Sequence, residues 1–128
     1  MTEPETTIET DNNAEMVFDY QELKSRLSDD VELMQSIVEL FLPDMQQQIE
    51  QLKLAVSSTD SEKIRSLAHK IKGSAANVGA HALSGEALKI EQEAQNGDIQ
   101  TCRQQALDNR FAELKTAMEG SLFETANS

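Results

Sequence analysis

Apolar residues from Phe18 onward recur at spacings of three and four positions, and no segment sustains the alternating pattern of a β-strand. Phe18, Leu23 and Leu27 predict a short first helix that ends near Ser28. A long second helix is predicted next, with one broad apolar side formed by Leu33, Ile37, Leu40, Phe41, Met45, Ile49, Leu52 and Val56. Pro43 lies inside it, and because proline removes a backbone hydrogen bond, a kink or a break is expected there.

Capping signals mark where the next helices begin and end. Asp29 followed by Glu32 resembles a capping box, in which a side-chain oxygen accepts a hydrogen bond from the first turn, and it predicts the start of the second helix. Thr59 followed by Glu62 predicts the start of the third helix in the same way. Gly79 is expected to end that helix, because glycine adopts the left-handed conformation beyond a helix end at little cost.

A fourth helix is predicted from about Ala80 to Asn96, with Gly97 as its stop. Asp98 is expected to cap a fifth helix, whose apolar stripe consists of Ile99, Leu107, Phe111, Leu114 and Met118. Because the connections are short, consecutive helices are expected to pack antiparallel. The predicted fold is therefore all-α, an antiparallel up-down four-helix bundle with a short extra N-terminal helix.

The bundle is expected to occupy residues 16–120. Residues 1–15 combine five acidic residues with no basic residue and little apolar content, which predicts a disordered acidic tail. Residues 121–128, which end in ETANS, are expected to fray. The sequence contains no internal repeat and no candidate linker apart from the tail.

Composition narrows the possible functions. The formal net charge is −12, and an acidic surface argues against sequence-independent binding of nucleic acid and against docking on anionic lipid. Cys102 is the one cysteine, which excludes an intrachain disulfide. The N-terminal sequence lacks the basic and apolar regions of a signal peptide, and no apolar run is long enough to span a bilayer. A soluble cytoplasmic protein is expected.

The predicted third helix breaks the acidic pattern. Residues 63–72 contain no acidic residue and four of the 11 basic residues, Lys63, Arg65, Lys70 and Lys72. A solvated helix face usually mixes both signs, because opposite charges one turn apart attract each other. The cluster therefore suits an incoming anion, with chance or a helix-dipole effect as the alternative.

His69 is predicted to lie on the exposed side of this helix. At 100° per residue the apolar positions share one sector, formed by Ile64, Leu67, Ala68, Ile71, Ala75 and Val78. His69 lies roughly opposite that sector. Arg65 and Lys72 flank it, and Gly73 and Ala76 lie beside it. Small residues give access, cations attract an anion, and imidazole supplies a nucleophile or base, so a phosphoryl group fits this face.

A carboxylate is expected to orient this imidazole. If Gly79 marks the turn, His69 precedes it by ten residues and Glu91 follows it by twelve, so both lie about 15–18 Å from the turn. Glu91 lies at the edge of the core stripe of the fourth helix, formed by Leu83, Ala87, Ile90 and Ala94. Its carboxylate is in position to accept the Nδ1 proton, directly or through water, which leaves Nε2 as the nucleophile. A surface acid without this role is the alternative.

These residues carry a family likeness. Residues 68–80, AHKIKGSAANVGA, resemble the signature of histidine-containing phosphotransfer (HPt) domains, in which Ala-His is followed by one variable residue, a hydrophobic residue, Lys-Gly, small residues and a second glycine. Weaker matches are Phe41, Pro43, Leu83, Ile90 with Glu91, and Gly97, so the resemblance covers about residues 18–118. The AHKIKG segment is also similar to the HPt module of hybrid sensor kinases of the anaerobic redox control type.

The resemblance implies an antiparallel four-helix bundle whose exposed histidine carries a phosphoryl group. By family correspondence His69 is the phosphorylated residue, Lys72 steadies the phosphate and Gly73 permits close approach. Glu91 falls where members often place a glutamine or glutamate that orients the imidazole. The chain is then a stoichiometric phosphocarrier without autokinase activity, and it contains no glycine-rich nucleotide-binding loop.

The expected partners are receiver domains, one in a hybrid sensor histidine kinase and one in a response regulator of the same phosphorelay. Mg²⁺ is expected in the receiver domain, with no cofactor or metal bound by this chain. Arg65 and Lys70 are assigned to partner binding together with Gly73 and Ala76. Exposed apolar residues of the first helix, Leu23 or Val17, are expected to assist docking, and the chain is expected to be a monomer.

Two other functions fit parts of the pattern. A non-catalytic helical adaptor would bind receiver domains through the same surface without phosphotransfer. A di-metal enzyme on a four-helix bundle needs a glutamate three residues before a histidine, whereas Ser66 precedes His69 and Val78 precedes His81 at that spacing. His81 is interpreted as a surface residue with no chemistry.

Overall fold

The computed structural model describes residues 16–97 and 101–127, and all regular secondary structure in these ranges is α-helical. The helices are α1 (Tyr20–Arg26), α2 (Val31–Ser57), α3 (Ser61–Asn77), α4 (His81–Gln95) and α5 (Thr101–Asn127). The predicted acidic tail, the cap at Asp98 and the position of Ile99 lie outside the described residues. Within them, no helix has the length and apolar character required to cross a membrane.

Helices α2 to α5 form a closed ring, in which α2 packs on α3, α3 on α4, α4 on α5 and α5 on α2. Ion pairs show that α4 and α5 run in opposite directions. Glu93 of α4 pairs with Arg103 of α5. Glu86, about two turns earlier on α4, pairs with Arg110, about two turns later on α5. The predicted four-helix bundle with a short additional N-terminal helix is confirmed.

The core lies along the inner faces of the four long helices. Its largest fully buried side chains are Met34, Met45, Leu52, Ile64, Ile71, Leu83, Leu107, Leu114 and Met118. Where α3 meets α4 the buried residues are small, with Ala68 and Ala75 on one helix and Ala87 and Ala94 on the other. Small residues at a contact let two helix backbones approach closely. Side chains at the outer edges of α3 and α4 therefore come within hydrogen-bonding distance.

The N-terminal segment and α1 close the end of the bundle that carries the α3–α4 turn. The Asp19 N–H donates to the Gly79 carbonyl at 2.8 Å, and the Ala82 N–H donates to the Met16 carbonyl at 2.8 Å. Because α4 has no side-chain cap, the Met16 carbonyl satisfies one of its free N–H groups. Gly79 has φ +81°, and a Cβ atom there would lie 2.9 Å from the Asp19 carbonyl oxygen. Glycine thus allows both the left-handed turn and the close approach of the N-terminal segment.

Two helices begin one residue later than predicted. Asp30 rather than Asp29 caps α2, and Asp60 rather than Thr59 caps α3; each aspartate side chain accepts a hydrogen bond from the N–H three residues on. Asp29 has φ 64° and Thr59 has φ 53°, so both belong to the preceding turns. An N-cap residue has an extended backbone, which these left-handed residues lack.

A kink or a break was predicted at Pro43. The break is wrong, because α2 runs through this residue without interruption, and the kink stays a prediction. Proline has no N–H to donate to the carbonyl of Glu39, four residues earlier. Both Pro43 and Glu39 are exposed, so the unpaired carbonyl lies on the side of the helix that faces water. A single unpaired group at the surface does not end a helix whose other side is packed in the core.

The predicted apolar side of α2 is wrong at two positions. Leu33 is 43% exposed and Leu40 is 75% exposed, whereas Met34 and Val38 are buried. The other predicted positions are buried or partly buried, namely Ile37, Phe41, Met45, Ile49, Leu52 and Val56. Apolar residues occupy more than one side of α2, so periodicity alone left open which side faces α3 and α5.

Among the described residues, the apolar stripes predicted for the other long helices are buried, as expected. On α3 only Leu67 of the predicted sector is partly rather than fully buried, and on α5 the same holds for Phe111. Gly79 ends α3 as predicted, with Val78 as the C-cap. The helix α5 continues to Asn127, beyond the predicted bundle boundary at residue 120. Fraying of residues 121–128 concerns their motion and stays a prediction.

Candidate functional site

The outward face of α3 presents His69 to solvent. Ile64 and Ile71 are fully buried on the opposite side of the same helix, and the His69 side chain is 65% exposed. The predicted outward placement of the imidazole is confirmed. An exposed ring on a regular helix is held in position yet open to a large partner.

Glu91 of α4 meets this ring across the α3–α4 contact. Nδ1 of His69 lies 2.9 Å from Oε2 of Glu91, and the Glu91 side chain is 16% exposed. An ionised carboxylate can only accept, so Nδ1 is the donor in this hydrogen bond. The placement predicted from the distance of each residue to the turn at Gly79 is confirmed. The free ring nitrogen is then Nε2, which makes no hydrogen bond within the described part of the chain.

Lys72 also binds Glu91. Its Nζ lies 3.1 Å from Oε1 of Glu91, and its side chain is 29% exposed. The two oxygens of Glu91 therefore serve two residues that lie one turn apart on α3. The sequence placed Lys72 beside His69 but did not reveal this ion pair. Because an ammonium group has three N–H donors, Lys72 keeps donors for another anion.

These contacts set the charge on Glu91. Burial raises the pKa of the Glu91 carboxyl, but hydrogen bonds from Lys72 and His69 and their positive charges outweigh it and lower the pKa below its ordinary value. Glu91 is therefore an anion at neutral pH. It remains a hydrogen-bond acceptor for the imidazole throughout the physiological range.

Arg65 and Lys70 lie at the same surface as exposed cations. Neither forms an ion pair with another residue in the described ranges, in contrast to Lys72. Arg65 lies one turn before His69 on the same face. Lys70 projects about 100° around the helix from His69, so it borders the site rather than facing the ring.

Gly73 leaves an opening one turn beyond His69. A Cβ atom added at Gly73 would meet no heavy atom within 4 Å, and the residue is exposed. Neither a turn nor internal packing in the described structure explains glycine here. Its absent side chain leaves room for a molecule that approaches from outside. Ala76, predicted to serve the same purpose, is half-buried.

Ser84 is a residue of this site that sequence reasoning missed. Its hydroxyl donates to the backbone carbonyl of Lys72 at 3.0 Å, which joins α4 to α3 beside the ion pair. This bond fixes the axial register of the two helices, and the register brings Glu91 opposite His69. The sequence signal was no more than a small polar residue five positions beyond Gly79, near the predicted turn.

The expected docking role of Leu23 is wrong, because Leu23 is 2% exposed and belongs to the core. Val17 is half-buried and packs against the core. Leu40 of α2, which is 75% exposed, provides exposed apolar surface beside α3. There a shallow groove is lined by Ile37, Leu40, Phe41, Asp44, Ser74, Asn77 and Val78.

His81 is partly buried, whereas the sequence suggested a surface residue. Its side chain is 23% exposed, and Nε2 lies 3.1 Å from Oε1 of Glu22. Ligand atoms of Asp19, Glu22 and His81 lie within 4.8 Å of one another, but Asp19 caps α1 and Glu22 pairs with His81. These contacts tie α1 to the start of α4, so the group has a structural use. That the chain binds no metal stays a prediction.

Comparisons with known proteins agree with this architecture. Residues 36–121 match the family model described as the Hpt domain. The fold is similar to the crystal structure of histidine-containing phosphotransfer protein B (HptB) from Pseudomonas aeruginosa PAO1, with a TM-score of 0.74 and 21% sequence identity, covering 85% of this chain and 96% of that chain. At this identity the likeness establishes the fold. A search of curated proteins finds no match.

Proposed function

Since the chain belongs to the Hpt domain family, whose members carry phosphoryl groups on histidine in phosphorelays, we propose that His69 is its phosphorylated residue. His69 would accept the group from an aspartyl phosphate on one receiver domain and pass it to an aspartate of another. The chain would act as a stoichiometric carrier without autokinase activity.

The observation that carries this proposal is the state of the His69 ring. The ring is 65% exposed, and Nδ1 is engaged by Glu91 at 2.9 Å. A hydrogen bond from Nδ1 selects the tautomer whose lone pair lies on Nε2, the nitrogen that faces solvent. A nucleophile that is both oriented and accessible is the requirement for attack on a phosphoryl group held by another protein.

The chemistry follows from this arrangement. The Nε2 lone pair forms a bond to phosphorus while the bond from phosphorus to the aspartyl oxygen breaks, and its electron pair stays on the receiver carboxylate. Transition states of this kind are loose and in line, so positioning and charge neutralisation supply most of the catalysis. Lys72, with Arg65 nearby, supports the proposal as a source of positive charge for the phosphoryl oxygens. Mg²⁺ is assigned to the receiver domain.

The surface around His69 supports a protein partner. Gly73 opens the face beside the ring, and Arg65 and Lys70 add positive charge that complements the acidic site of a receiver domain. The groove that contains the exposed Leu40 is lined on the α3 side by Ser74, Asn77 and Val78, which lie about two turns beyond His69. We expect a small, transient interface below about 1,200 Å², with the chain acting as a monomer.

The donor and the recipient are proposed as classes. The similarity of AHKIKG to the HPt module of anaerobic redox control kinases supports a hybrid sensor histidine kinase as the donor. A response regulator with its own receiver domain is the proposed recipient.

His69→Gln tests the proposal directly. The chain has two histidines, so His81→Gln is the matched control. Each purified protein is mixed with a receiver domain that carries a radiolabelled phosphoryl group on its aspartate, and label on this chain is measured after acid and after base treatment. We expect acid-labile, base-stable label on the wild type and on His81→Gln, and none on His69→Gln. Label on a folded His69→Gln protein contradicts the proposal, and binding without label on the wild type favours an adaptor.

A further inference from the structure

We propose that Glu91 is a positioning residue that keeps the proton on Nδ1 of His69 while the ring carries the phosphoryl group. By holding this proton, Glu91 keeps the N–P bond ready for onward transfer. The inference rests on the proposed phosphorylation of His69 and assigns to Glu91 a role that follows phosphorylation.

The proton matters because of the leaving group. When neutral His69 with a proton on Nδ1 attacks through Nε2, the product is a phosphorylated ring with a positive charge. Onward transfer breaks the N–P bond, returns its electron pair to Nε2 and forms a bond to the acceptor carboxylate, so a neutral imidazole leaves. If Nδ1 has lost its proton, the leaving group is an imidazolate, which is far more basic and leaves slowly. With the proton retained, no proton has to move in either direction.

The geometry provides a negative charge opposite this proton. Oε2 of Glu91 lies 2.9 Å from Nδ1, and the carboxylate is 16% exposed, so water screens it weakly. A charge-assisted hydrogen bond to a cationic ring is stronger than one to a neutral ring. Glu91 therefore favours the protonated form of the phosphorylated ring over the form that has lost Nδ1–H.

Lys72 keeps Glu91 in the form that this role needs. Its ammonium lies 3.1 Å from Oε1, and together with His69 it lowers the pKa of the Glu91 carboxyl despite partial burial. Glu91 is thus ionised at neutral pH. A glutamine in this place would still accept the hydrogen bond but would carry no charge.

The other charged groups near the ring do not replace Glu91. On α3 itself, Arg65 and Lys72 are cations, which oppose a positive ring. On α2, the helix that packs on α3 besides α4, Asp44 binds Gln48 and Glu50 pairs with Lys53. The other acidic residues of α2, Glu32 and Glu39, are exposed and form no ion pair with His69 in the described ranges. On α4, Lys89 and Glu86 pair with each other. Within the described residues, Glu91 is the carboxylate in contact with the imidazole.

Glu91→Gln separates charge from orientation. Glu93→Gln is the matched control, because Glu93 lies on the same helix, is also 16% exposed and pairs with Arg103, away from His69. Wild type and both variants are phosphorylated with phosphoramidate, a small donor that needs no protein partner. Loss of the phosphoryl group is followed by ³¹P NMR from mildly acidic to mildly alkaline pH. ¹⁵N NMR of the unphosphorylated proteins reports whether Nδ1 of His69 still carries its proton.

We expect all three proteins to keep Nδ1–H before phosphorylation. The rate of dephosphorylation should fall at alkaline pH, where Nδ1 loses its proton and the imidazole becomes a poor leaving group. In Glu91→Gln this fall should occur about one pH unit lower, which lengthens the half-life of the phosphorylated protein at mildly alkaline pH about tenfold. Glu93→Gln should follow the wild type. Identical pH profiles for Glu91→Gln and wild type overturn this inference alone. Absence of phosphate from His69 of the wild type overturns the proposed function and this inference with it.

Discussion

Nζ of Lys72 lies 3.1 Å from Oε1 of Glu91, so the cation one turn beyond the candidate histidine is held by the neighbouring helix rather than free in solvent. Its position is fixed before any phosphate arrives, since a bound ammonium samples fewer orientations than a free one. The ion pair also connects the two charges that the proposed reaction needs, a cation for the phosphoryl oxygens and an anion for the imidazole.

Lys72→Ala should slow phosphotransfer without abolishing it. Loss of one charge-assisted contact to the phosphoryl group corresponds to a decrease of about tenfold in the rate. Single-turnover transfer from a labelled receiver domain measures this. Lys63→Ala, which removes an exposed lysine from the first turn of the same helix, is the control and should transfer at the wild-type rate. Equal rates for Lys72→Ala and Lys63→Ala would remove the role given to Lys72.

Gly73→Gln should block docking while leaving the bundle intact. Replacing an exposed helical glycine should stabilise the fold by about 0.5–1 kcal/mol, because glycine is a poor helix former. Gly120→Gln in α5 is the matched control for Gly73→Gln, since a Cβ atom at Gly120 also meets no heavy atom within 4 Å. Urea unfolding should show both variants at or above wild-type stability, with phosphotransfer lost only in Gly73→Gln. Wild-type transfer by Gly73→Gln would refute the argument that this face must stay open.

Gly79→Ala should destabilise the protein more than Gly97→Ala. Both glycines have positive φ, 81° and 75°, so either substitution costs roughly 1–2 kcal/mol in backbone strain. Only at Gly79 would the new Cβ atom lie 2.9 Å from a backbone oxygen, that of Asp19. Chemical denaturation of the two variants measures the difference. An equal decrease in the free energy of unfolding for both variants would contradict this prediction, because the N-terminal segment would then shift to accommodate the added methyl group without destabilising the protein.

The stability supplied by Glu91 should depend on pH in a defined direction. Its pKa is lower in the folded than in the unfolded protein, so the unfolded chain binds the proton first as pH falls. The contribution is fully present above the unfolded pKa of about 4.3 and is lost as pH falls through the folded pKa. The difference in unfolding free energy between wild type and Glu91→Gln should therefore shrink as the pH falls from neutral to below the unfolded pKa of about 4.3. A difference that grows on acidification would contradict the sign of the pKa shift.

Helical periodicity within α3 was sufficient to place His69 opposite the buried Ile64 and Ile71, because angles around one helix depend on residue number alone. The rise per residue and a turn at Gly79 were sufficient to bring Glu91 level with His69. The first deduction concerns one helix and the second concerns one tight helical hairpin. In both, the covalent chain leaves the residues little freedom to change their relative positions.

Other features were decided by tertiary contacts. Sequence alone could not tell that Leu40 faces solvent and Met34 the core, because α2 is apolar on several sides and its neighbours α3 and α5 select among them. Nor could it show that Leu23 is buried or that Ser84 bonds the backbone of Lys72. Such contacts join residues of different helices. Packing of the whole core sets how these helices are rotated relative to one another, and a local sequence pattern does not contain that information.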